Sequence, residues 1–273
     1  MKHVLFPTDF SPASENGFDW ALMFARRTDA TLDLLHAYHF HVAENPTPEK
    51  IESFQEKFRV MINDAQRKPG FGEFPTVKTW LIADFAADAI VNLSGKLPAD
   101  LVVMGTKGTS DLEEILIGGI AAKIATDSTV PVLVIPPKAQ FRVPDCFIIA
   151  TNLETSQLKG FIKIAVIAKI FNATLEVVHI QVPSEHFDQK KLDHFEEGMK
   201  KLNLGESLRF HLFKAKSVED GLSEFCDSRE GGILCMAHKK RNFLSSLFER
   251  SHSKKMVLHT HLPLIVFPSE STN

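Results

Sequence analysis

Four glycines stand within the stretch 105–119, at a spacing that suits an anionic ligand. Gly105 and Gly108 directly follow the apolar run LVVM, and Gly118 and Gly119 precede the run IAAKIATDS. Glycines after a buried strand let backbone N–H groups approach a ligand, because no Cβ stands in the way. A glycine pair at a helix start exposes N–H donors at the positive end of the helix dipole. The pattern predicts a phosphate-binding loop, although it matches neither GxxxxGK[ST] nor GxGxxG.

An aspartate follows the first apolar run of the chain, VLFP at 4–7. Asp9 has two interpretations, a cap for the helix that follows or a contact to a ligand. Ser11 followed by Pro12 already fits an N-cap and a first helical residue. The ligand interpretation is therefore favoured for Asp9.

The elements that must position these residues occur twice along the chain. At an offset of 143, two blocks match, VLFPTDF at 4–10 with FIIATNL at 147–153 and DATLDLLHAY at 29–38 with NATLEVVHIQ at 172–181. At an offset of 132, two more match, LVVMGTKG at 101–108 with ILCMAHKK at 233–240 and VPVLVIPP at 130–137 with LPLIVFPS at 262–269. The second copy is thus 11 residues shorter in its middle. The duplication predicts two domains, residues 1–140 and 141–273.

Each copy alternates apolar strands with helical periodicity. In the first copy the pattern predicts strands at 4–7, 31–36, 76–82, 101–104 and 131–135, helices at 13–28, 48–67 and 85–96, and two short helices before the last strand. Near-continuous apolar strands separated by helices indicate an α/β fold whose parallel sheet is covered on both faces. Ligands of such sheets bind beyond the carboxyl ends of the strands, near a switch in strand order.

The chain resembles the universal stress protein family over nearly its whole length, as a tandem pair of family domains. The resemblance rests on the motif G-x2-G-x9-G, which Gly105, Gly108 and Gly118 satisfy, and on the stretches PTDFS and PVLVIP. It implies two Rossmann-like domains of the adenine nucleotide alpha-hydrolase type. Each would be a five-stranded parallel sheet with helices on both faces.

The resemblance also implies a role for each site residue. Asp9 would contact the adenine side of bound ATP, and the backbone of Ala37, after strand two, would lie against the base. Gly105 and Gly108 would lie along the ribose and phosphates. Backbone N–H groups facing the phosphates would come from Gly118, Gly119, Ile120 and Ala121. The expected ligand is ATP, with or without Mg²⁺.

Two positions depart from the family pattern. Gly119 stands where the family prefers a serine or threonine, and Ala121 stands where a second hydroxyl is often found. Each change removes a side-chain donor to phosphate, at a cost of about 1 kcal/mol. The backbone donors remain.

The second copy has lost these features. Its glycine positions hold Ala237, Lys240 and Arg250, and Asn152 replaces the aspartate. We expect no nucleotide there, because side chains would fill the space that a phosphate needs. The alternative is a new anion site in the basic run formed by His238, Lys239, Lys240, Arg241, Arg250, Lys254 and Lys255. Such runs are usually a solvated face.

Composition excludes several classes of function. The net charge is −3, with 13 Lys/Arg against 18 Asp/Glu in residues 1–140 and 18 against 16 in the rest, which argues against nucleic-acid binding. No apolar run is long enough to cross a bilayer, so no membrane association is expected. Three cysteines without a CxxC pair suit a reducing compartment, and the start MKHVLFPTDF is not a secretory signal. A cytoplasmic protein is expected.

Histidines are numerous but form no convincing metal site. His36, His39 and His41 alternate near a strand end, yet no carboxylate or cysteine completes a ligand set. His36 and His179 occupy equivalent positions in the two copies. This equivalence predicts a structural role in the strand.

The resemblance implies a stress-response protein that binds an adenine nucleotide in its first domain, acts in regulation or signalling, and is not an enzyme. No nucleophile–base pair or carboxylate dyad accompanies the glycine loop, so any ATP hydrolysis should be slow and incidental. One alternative is a ligand-free tandem scaffold that acts through protein contacts, because the hydroxyls at Gly119 and Ala121 are missing. An adenylating or ATP-splitting enzyme would need a Ser-Gly-Gly loop after the first strand, which PTDFS lacks.

The final strand of each copy indicates how the two domains could associate. The stretches PVLVI at 131–135 and PLIVF at 263–267 are both apolar and flanked by proline. An exposed apolar edge is a liability unless it is covered, and the resembled family dimerises through this strand. We expect the two copies to cover each other within one chain as a pseudo-dimer. Association of whole chains into a homodimer, and the identity of protein partners, stay open.

Overall fold

The structure is a computed structural model that describes residues 1–38, 46–68, 73–105, 119–137, 139–183, 188–202, 208–238 and 262–268. These residues form two compact units. The first contains residues 1–105 and 119–137, and the second contains the described residues from 139 onward. The finer domain limits of 1–140 and 141–273 stay a prediction.

The first unit contains a parallel sheet of five strands. They are β1 His3–Pro7, β2 Thr31–Tyr38, β3 Val77–Ala83, β4 Leu101–Gly105 and β5 Val132–Ile135. Their order in space is β3-β2-β1-β4-β5, and each pair of neighbours is parallel. Residues 4–6 of β1 and 101–103 of β4 are apolar and fully buried because both faces of these strands are covered.

Four helices of the first unit are described. They are α1 Pro12–Thr28, α2 Pro48–Arg67, α3 Ala86–Lys96 and α4 Gly119–Asp127. Leu5 of β1 packs in the core cluster that contains α3 and α4, whereas the Phe6 ring lies 5.4 Å from that of Phe18 in α1. Successive side chains of a strand point to opposite faces, so helices cover both faces of this sheet.

The second unit repeats this arrangement. Its strands are β6 Cys146–Ala150, β7 Thr174–Gln181, β8 Leu208–Lys214, β9 Gly232–His238 and β10 Leu264–Pro268. Its helices are α5 Leu158–Phe171, α6 Gln189–Lys201 and α7 Val218–Asp227, and a 3₁₀ turn at Thr155–Gln157 precedes α5. The order of its strands is β10-β9-β6-β7-β8, again parallel throughout.

The predicted α/β fold with repeated parallel sheets is confirmed. The copies agree even in the helix ends, since α1 and α5 are followed by Asp29 and Asn172, each with a φ of 53°. One boundary was wrong: β2 extends to Tyr38, so Ala37 lies within the strand. Between β4 and β5, where two short helices were predicted, the structure describes α4, and residues 106–118 lie outside the described residues. Within the described part, no helix is both long and apolar enough to cross a membrane.

Candidate functional site

The sheet of the first unit has a switch in strand order between β1 and β4. The chain runs outward from β1 through β2 to β3, and then returns to the other side of β1 with β4 and β5. Asp9 follows β1, and Gly105 is the last residue of β4. Carboxyl ends of parallel strands meet at one edge, and the crevice at such a switch is where this architecture binds ligands. The structure therefore places Asp9 and Gly105 at the two strand ends that flank the crevice.

The turn between β1 and α1 holds Asp9 at this edge. The Oγ1 of buried Thr8 accepts a hydrogen bond from the backbone nitrogen of Phe10 at 2.9 Å. The Oδ1 of Asp9 accepts one from the backbone nitrogen of Ser11 at 3.0 Å. Phe10 has a φ of 59°, in the left-handed region. The turn thus leaves the Asp9 side chain exposed and fixes one of its oxygens.

Ser11 occupies the N-cap position of α1, as predicted, but its side chain makes no capping hydrogen bond. Its carbonyl oxygen instead accepts from the backbone nitrogen of Ser14 at 2.9 Å and from the Ser14 hydroxyl at 2.8 Å. The argument that Ser11 already serves as the cap is therefore only partly correct, because Ser11 holds the N-cap position without a side-chain cap. Asp9 takes part in the turn itself.

The second copy builds the same turn without a carboxylate. The Oγ1 of Thr151 accepts from the backbone nitrogen of Leu153 at 2.9 Å, and Leu153 has a φ of 62°. The Oδ1 of Asn152 accepts from the backbone nitrogen of Glu154 at 3.2 Å. An amide oxygen therefore suffices for this turn. The negative charge of Asp9 is not required by the turn, which supports a second role for it.

A histidine supports the turn in each copy. The Nδ1 of His36 donates to the carbonyl oxygen of Thr8 at 2.8 Å, and the Nδ1 of His179 donates to that of Thr151 at 2.9 Å. Carbonyl oxygens only accept, so Nδ1 carries the hydrogen in both rings. The predicted structural role of these histidines is confirmed.

Partial burial lowers the pKa of His36 below its ordinary value. The positive charge of Lys57 lowers this pKa further, whereas the hydrogen bond to Thr8 and the charge of Asp9 act in the opposite direction. The ring of His36 thus belongs to the same electrostatic environment as the Asp9 carboxylate. Burial outweighs the groups that stabilise the charged ring, so the neutral form of His36 is favoured more strongly than it is in water.

Four half-buried rings form a cluster beside this turn, which sequence patterns did not reveal. The His36 ring lies 4.7 Å from that of Phe10 and 4.5 Å from that of Phe54. Tyr38 stacks on Phe54 at 5.8 Å, and the Lys57 Nζ lies 5.4 Å from the centre of the Phe10 ring. The cluster packs α2 against the carboxyl ends of β1 and β2. The rings of the cluster therefore lie beside the turn that carries Asp9.

The second copy lacks two of these rings. Leu153 and Gln181 occupy the positions that correspond to Phe10 and Tyr38. The complete ring cluster therefore accompanies only the copy that carries the glycine loop. An alignment of the two copies, position by position, could have revealed this difference.

A second feature missed by the sequence analysis is the contact between α1 and the end of β4. A Cβ added at Gly17 would stand 3.0 Å from the backbone nitrogen of Gly105 and 3.3 Å from the Phe6 ring. The equivalent residue, Gly160 of α5, faces the ring of Phe267, which a Cβ would meet at 2.3 Å. Both glycines allow a helix to approach its sheet closely. A glycine inside a helix at the same place in both copies is the signal that could have revealed them.

The predicted phosphate-facing residues of α4 differ in exposure. Ile120 is 53% exposed, whereas Ala121 is 3% exposed and packs in the core cluster with Ile90 and Ile124. A hydroxyl at position 121 would need a partner in that apolar core, which explains the alanine. Gly119 is the first residue of α4.

Two predicted site residues cannot be placed. Gly108 and Gly118 lie outside the described residues, so their contacts stay a prediction. Ala37 lies within β2, half-buried and opposite Ile82 of β3. Its backbone is therefore already part of the sheet.

The equivalent edge of the second unit is only partly described. Ala237 is 4% exposed near the end of β9. In the alternative basic anion site only His238 is described, as the last residue of β9, and the other six members lie outside the described ranges. That alternative stays a prediction.

Each unit also contains a buried acid that sits away from the switch. Asp33 of β2 is fully buried, accepts from the indole Nε1 of Trp80 at 2.8 Å and lies 2.8 Å from His3 Nδ1. In the second unit Glu176 accepts from Arg229 at 2.8 Å. These acids are paired by their own neighbours, so we interpret them as structural.

A cavity of about 520 Å³ borders the Glu176–Arg229 pair and includes Cys146 in its lining. Burial raises the pKa of the Cys146 thiol to about 11 and that of Cys235 well above its ordinary value. Thiols with so little thiolate are poor nucleophiles and poor metal ligands. Across the described ranges, no three His, Cys, Asp or Glu side chains form a group that could hold a metal ion.

The fold and the strand-end residues define a class, a tandem α/β protein whose first copy places Asp9 and Gly105 at a switch in strand order. Comparisons with known proteins give the family. The sequence profile of the universal stress protein family matches residues 1–136. A universal stress protein of Methanocaldococcus jannaschii is 30% identical over 138 residues, which cover 49% of this chain and 81% of that protein. The chain belongs to the universal stress protein family.

Further relatives agree with this assignment. Universal stress protein YxiE of Bacillus subtilis is 26% identical over 146 residues, which cover 50% of this chain and 99% of that protein. Among solved structures, a universal stress protein from Archaeoglobus fulgidus superposes with a TM-score of 0.67 at 15% identity. That superposition covers 99% of this chain and 97% of the other, so the likeness in fold extends over both units.

Proposed function

We propose that the first unit binds an adenine nucleotide, with ATP as the preferred ligand, in the crevice between the ends of β1 and β4. One observation carries the proposal: Asp9 and Gly105 end the two strands that flank the switch in strand order. The glycine spacing that continues from Gly105 to Gly118 suits a phosphate chain. Family membership of residues 1–136 supports the same ligand.

The residues divide into three groups by chemistry. The Asp9 carboxylate accepts hydrogen bonds from the nucleoside, and the backbone near Ala37 borders the base. Gly105 and Gly108 allow the ribose and phosphates to approach the main chain. Backbone N–H groups at the start of α4 bind phosphate oxygens, from the residues Gly118, Gly119, Ile120 and Ala121.

The bound nucleotide acts as a signal rather than as a substrate. We propose no catalytic residue, and we expect any hydrolysis of ATP to be slow, because no nucleophile paired with a base is found among the described residues near Asp9 and Gly105. The second unit is a degenerate copy that binds no nucleotide. Mutual covering of the two final strands within one chain stays a prediction from the sequence.

A ligand-free scaffold is the second candidate. Two observations favour it, the glycine at position 119 in place of a hydroxyl residue and the burial of Ala121 in the core. In that case the two units would only present surfaces to partner proteins.

Photo-crosslinking separates the two candidates and locates the site. The full chain is irradiated with 8-azido-ATP, digested, and the labelled peptides are identified by mass spectrometry. Nucleotide binding in the first unit predicts labelled peptides between residues 1 and 140 that unlabelled ATP displaces. Labelling that excess ATP does not displace would favour the scaffold. Displaceable labelling that falls equally on both copies would contradict a site confined to the first unit.

A further inference from the structure

Helices α1 and α5 are equivalent, so their outward faces can be compared residue by residue. The offset of 143 pairs Gly17 with Gly160, and both glycines face the sheet. The same offset pairs Asp29 with Asn172, the left-handed residues that end the two helices. No insertion or deletion therefore lies within the helices.

In the first unit the end of α2 and neighbouring residues, Lys68 and Phe74, contact α1. The Nζ of Lys68 lies 2.6 Å from the carboxylate of Asp19 in α1. Arg26, near the end of α1, donates to the carbonyl oxygen of Ala65 at 3.5 Å, and its guanidinium lies 5.4 Å from the centre of the Phe74 ring.

Large side chains of α1 are almost inaccessible. Trp20 is 1% exposed and Met23 is 3% exposed. The corresponding positions of α5 are Lys163 and Val166. The first unit therefore buries both of these positions.

In the second unit the same surface is open. Ile162 and Val166, which correspond to Asp19 and Met23, are 40% and 56% exposed. The second copy is also shorter in its middle: α6 has 13 residues, whereas α2 has 20.

The uncovered surface is basic as well as apolar. Three exposed lysines, Lys159, Lys163 and Lys169, lie on α5, whose sequence LKGFIKIAVIAKIF contains no acidic residue. Ile162 and Val166 are four residues apart and so lie one above the other on the helix. At 3.6 residues per turn the lysines fall on both sides of this pair. The α5 face, defined by these five residues, is an apolar ridge between cationic side chains.

We infer that the α5 face binds an acidic segment of a partner protein. Apolar side chains of that segment cover Ile162 and Val166. Its carboxylates pair with Lys163 and Lys169, since complementary charge steers association and fixes register. A second copy docking through the same face would bring lysine against lysine. The inference does not depend on nucleotide binding, because the face belongs to the second unit.

The test uses the full chain and a defined probe. The probe is a short fluorescent peptide with leucines at helical spacing and glutamates between them, and the reference peptide carries lysines in place of the glutamates. Fluorescence anisotropy at physiological salt should show saturable binding of the acidic peptide only. The double variant Lys163→Glu with Lys169→Glu should weaken that binding by about tenfold or more. Ile162→Asp, which copies Asp19 of the first unit, should weaken it to a similar degree.

Two controls change the same chemistry elsewhere. Lys96→Glu reverses an exposed charge on α3, and Val60→Ala truncates a side chain of α2 that is 50% exposed. Both should leave peptide binding unchanged. Circular dichroism confirms that Ile162→Asp, at an exposed position, retains the fold.

Several results would overturn the inference. These are an absence of saturable binding, equal binding of the lysine peptide, or binding that the α5 variants do not alter. Preferential binding of the same face to vesicles of phosphatidylserine or to single-stranded nucleic acid would assign it to another class of ligand. Self-association in sedimentation that Ile162→Asp abolishes would assign it to a second copy of the chain.

Discussion

Gly17 of α1 and Gly105 of β4 lie so close that a Cβ on Gly17 would stand 3.0 Å from the Gly105 backbone nitrogen. Helix α1, which follows the Asp9 turn, therefore packs directly against Gly105, the first glycine of the predicted loop. Because the neighbouring atom belongs to the backbone, it cannot move aside as a flexible side chain would. The contact couples the two strand ends that flank the proposed nucleotide site.

We predict that Gly17→Ala weakens ATP binding by about tenfold, because the added methyl displaces Gly105 and the start of the loop. The change in unfolding free energy is a poorer readout, since alanine gains about 1 kcal/mol in helix propensity and overpacking costs about 1–3 kcal/mol. Isothermal titration of the variant with ATP checks the prediction.

The matched control is Gly160→Ala, which introduces a contact with the Phe267 ring in the second unit. It should lower stability and leave ATP affinity unchanged. If both variants bind ATP as the wild type does, the Gly17–Gly105 contact does not position the site.

The charge of Asp9 can be separated from its role in the turn. Asn152 accepts the same backbone hydrogen bond in the second copy, so Asp9→Asn should change the free energy of unfolding by less than about 0.5 kcal/mol. Affinity for ATP should fall about tenfold, because a hydrogen bond to a charged group contributes about 1.5–3 kcal/mol. Urea denaturation and ATP titration measure the two effects independently.

Asn152→Asp is the reciprocal control and should not alter ATP binding. Wild-type affinity in Asp9→Asn would show that Asp9 serves the turn alone.

We predict that His36 makes the stability of the first unit depend on pH. Its pKa in the folded state is lowered, mainly by burial, from an ordinary value of 6.5. The unfolded chain therefore takes up the proton first, so this contribution to stability is complete above about pH 6.5 and is lost as pH falls through the folded pKa. Amide exchange in β1 and β2 over this range should show weaker protection at lower pH. His36→Gln should flatten the profile, and an unchanged slope in that variant would refute the assignment.

All three cysteines are buried, and the pKa of Cys146 is raised to about 11. The thiolate is the reactive form, so a thiol reagent at mildly alkaline pH should leave the native protein unmodified. In urea all three thiols should react quickly. Rapid modification of one thiol in the native protein, located by mass spectrometry, would contradict the described packing.

Sequence patterns were sufficient for the fold because strand and helix periodicities repeat in both copies. They also placed Asp9 and Gly105 at strand ends, since the order of the motifs follows the order of the elements. They missed the contact of Gly17 with Gly105, because periodicity gives the buried face of a helix but not the atom opposite each residue. The same limit applies to Ala121, whose burial depends on how α4 packs against α3. The ring cluster around His36 was missed because it joins residues from three separate elements.

The central claim is that one nucleotide binds per chain, in the first unit. Calorimetric titration of the full chain with ATP measures the stoichiometry directly, with Gly108→Lys as the informative variant because it copies Lys240 of the second copy. We predict one site in the wild type and none in Gly108→Lys, with an unaltered fold by circular dichroism. Two equivalent sites per chain, no binding by the wild type, or undiminished binding by Gly108→Lys would contradict the claim.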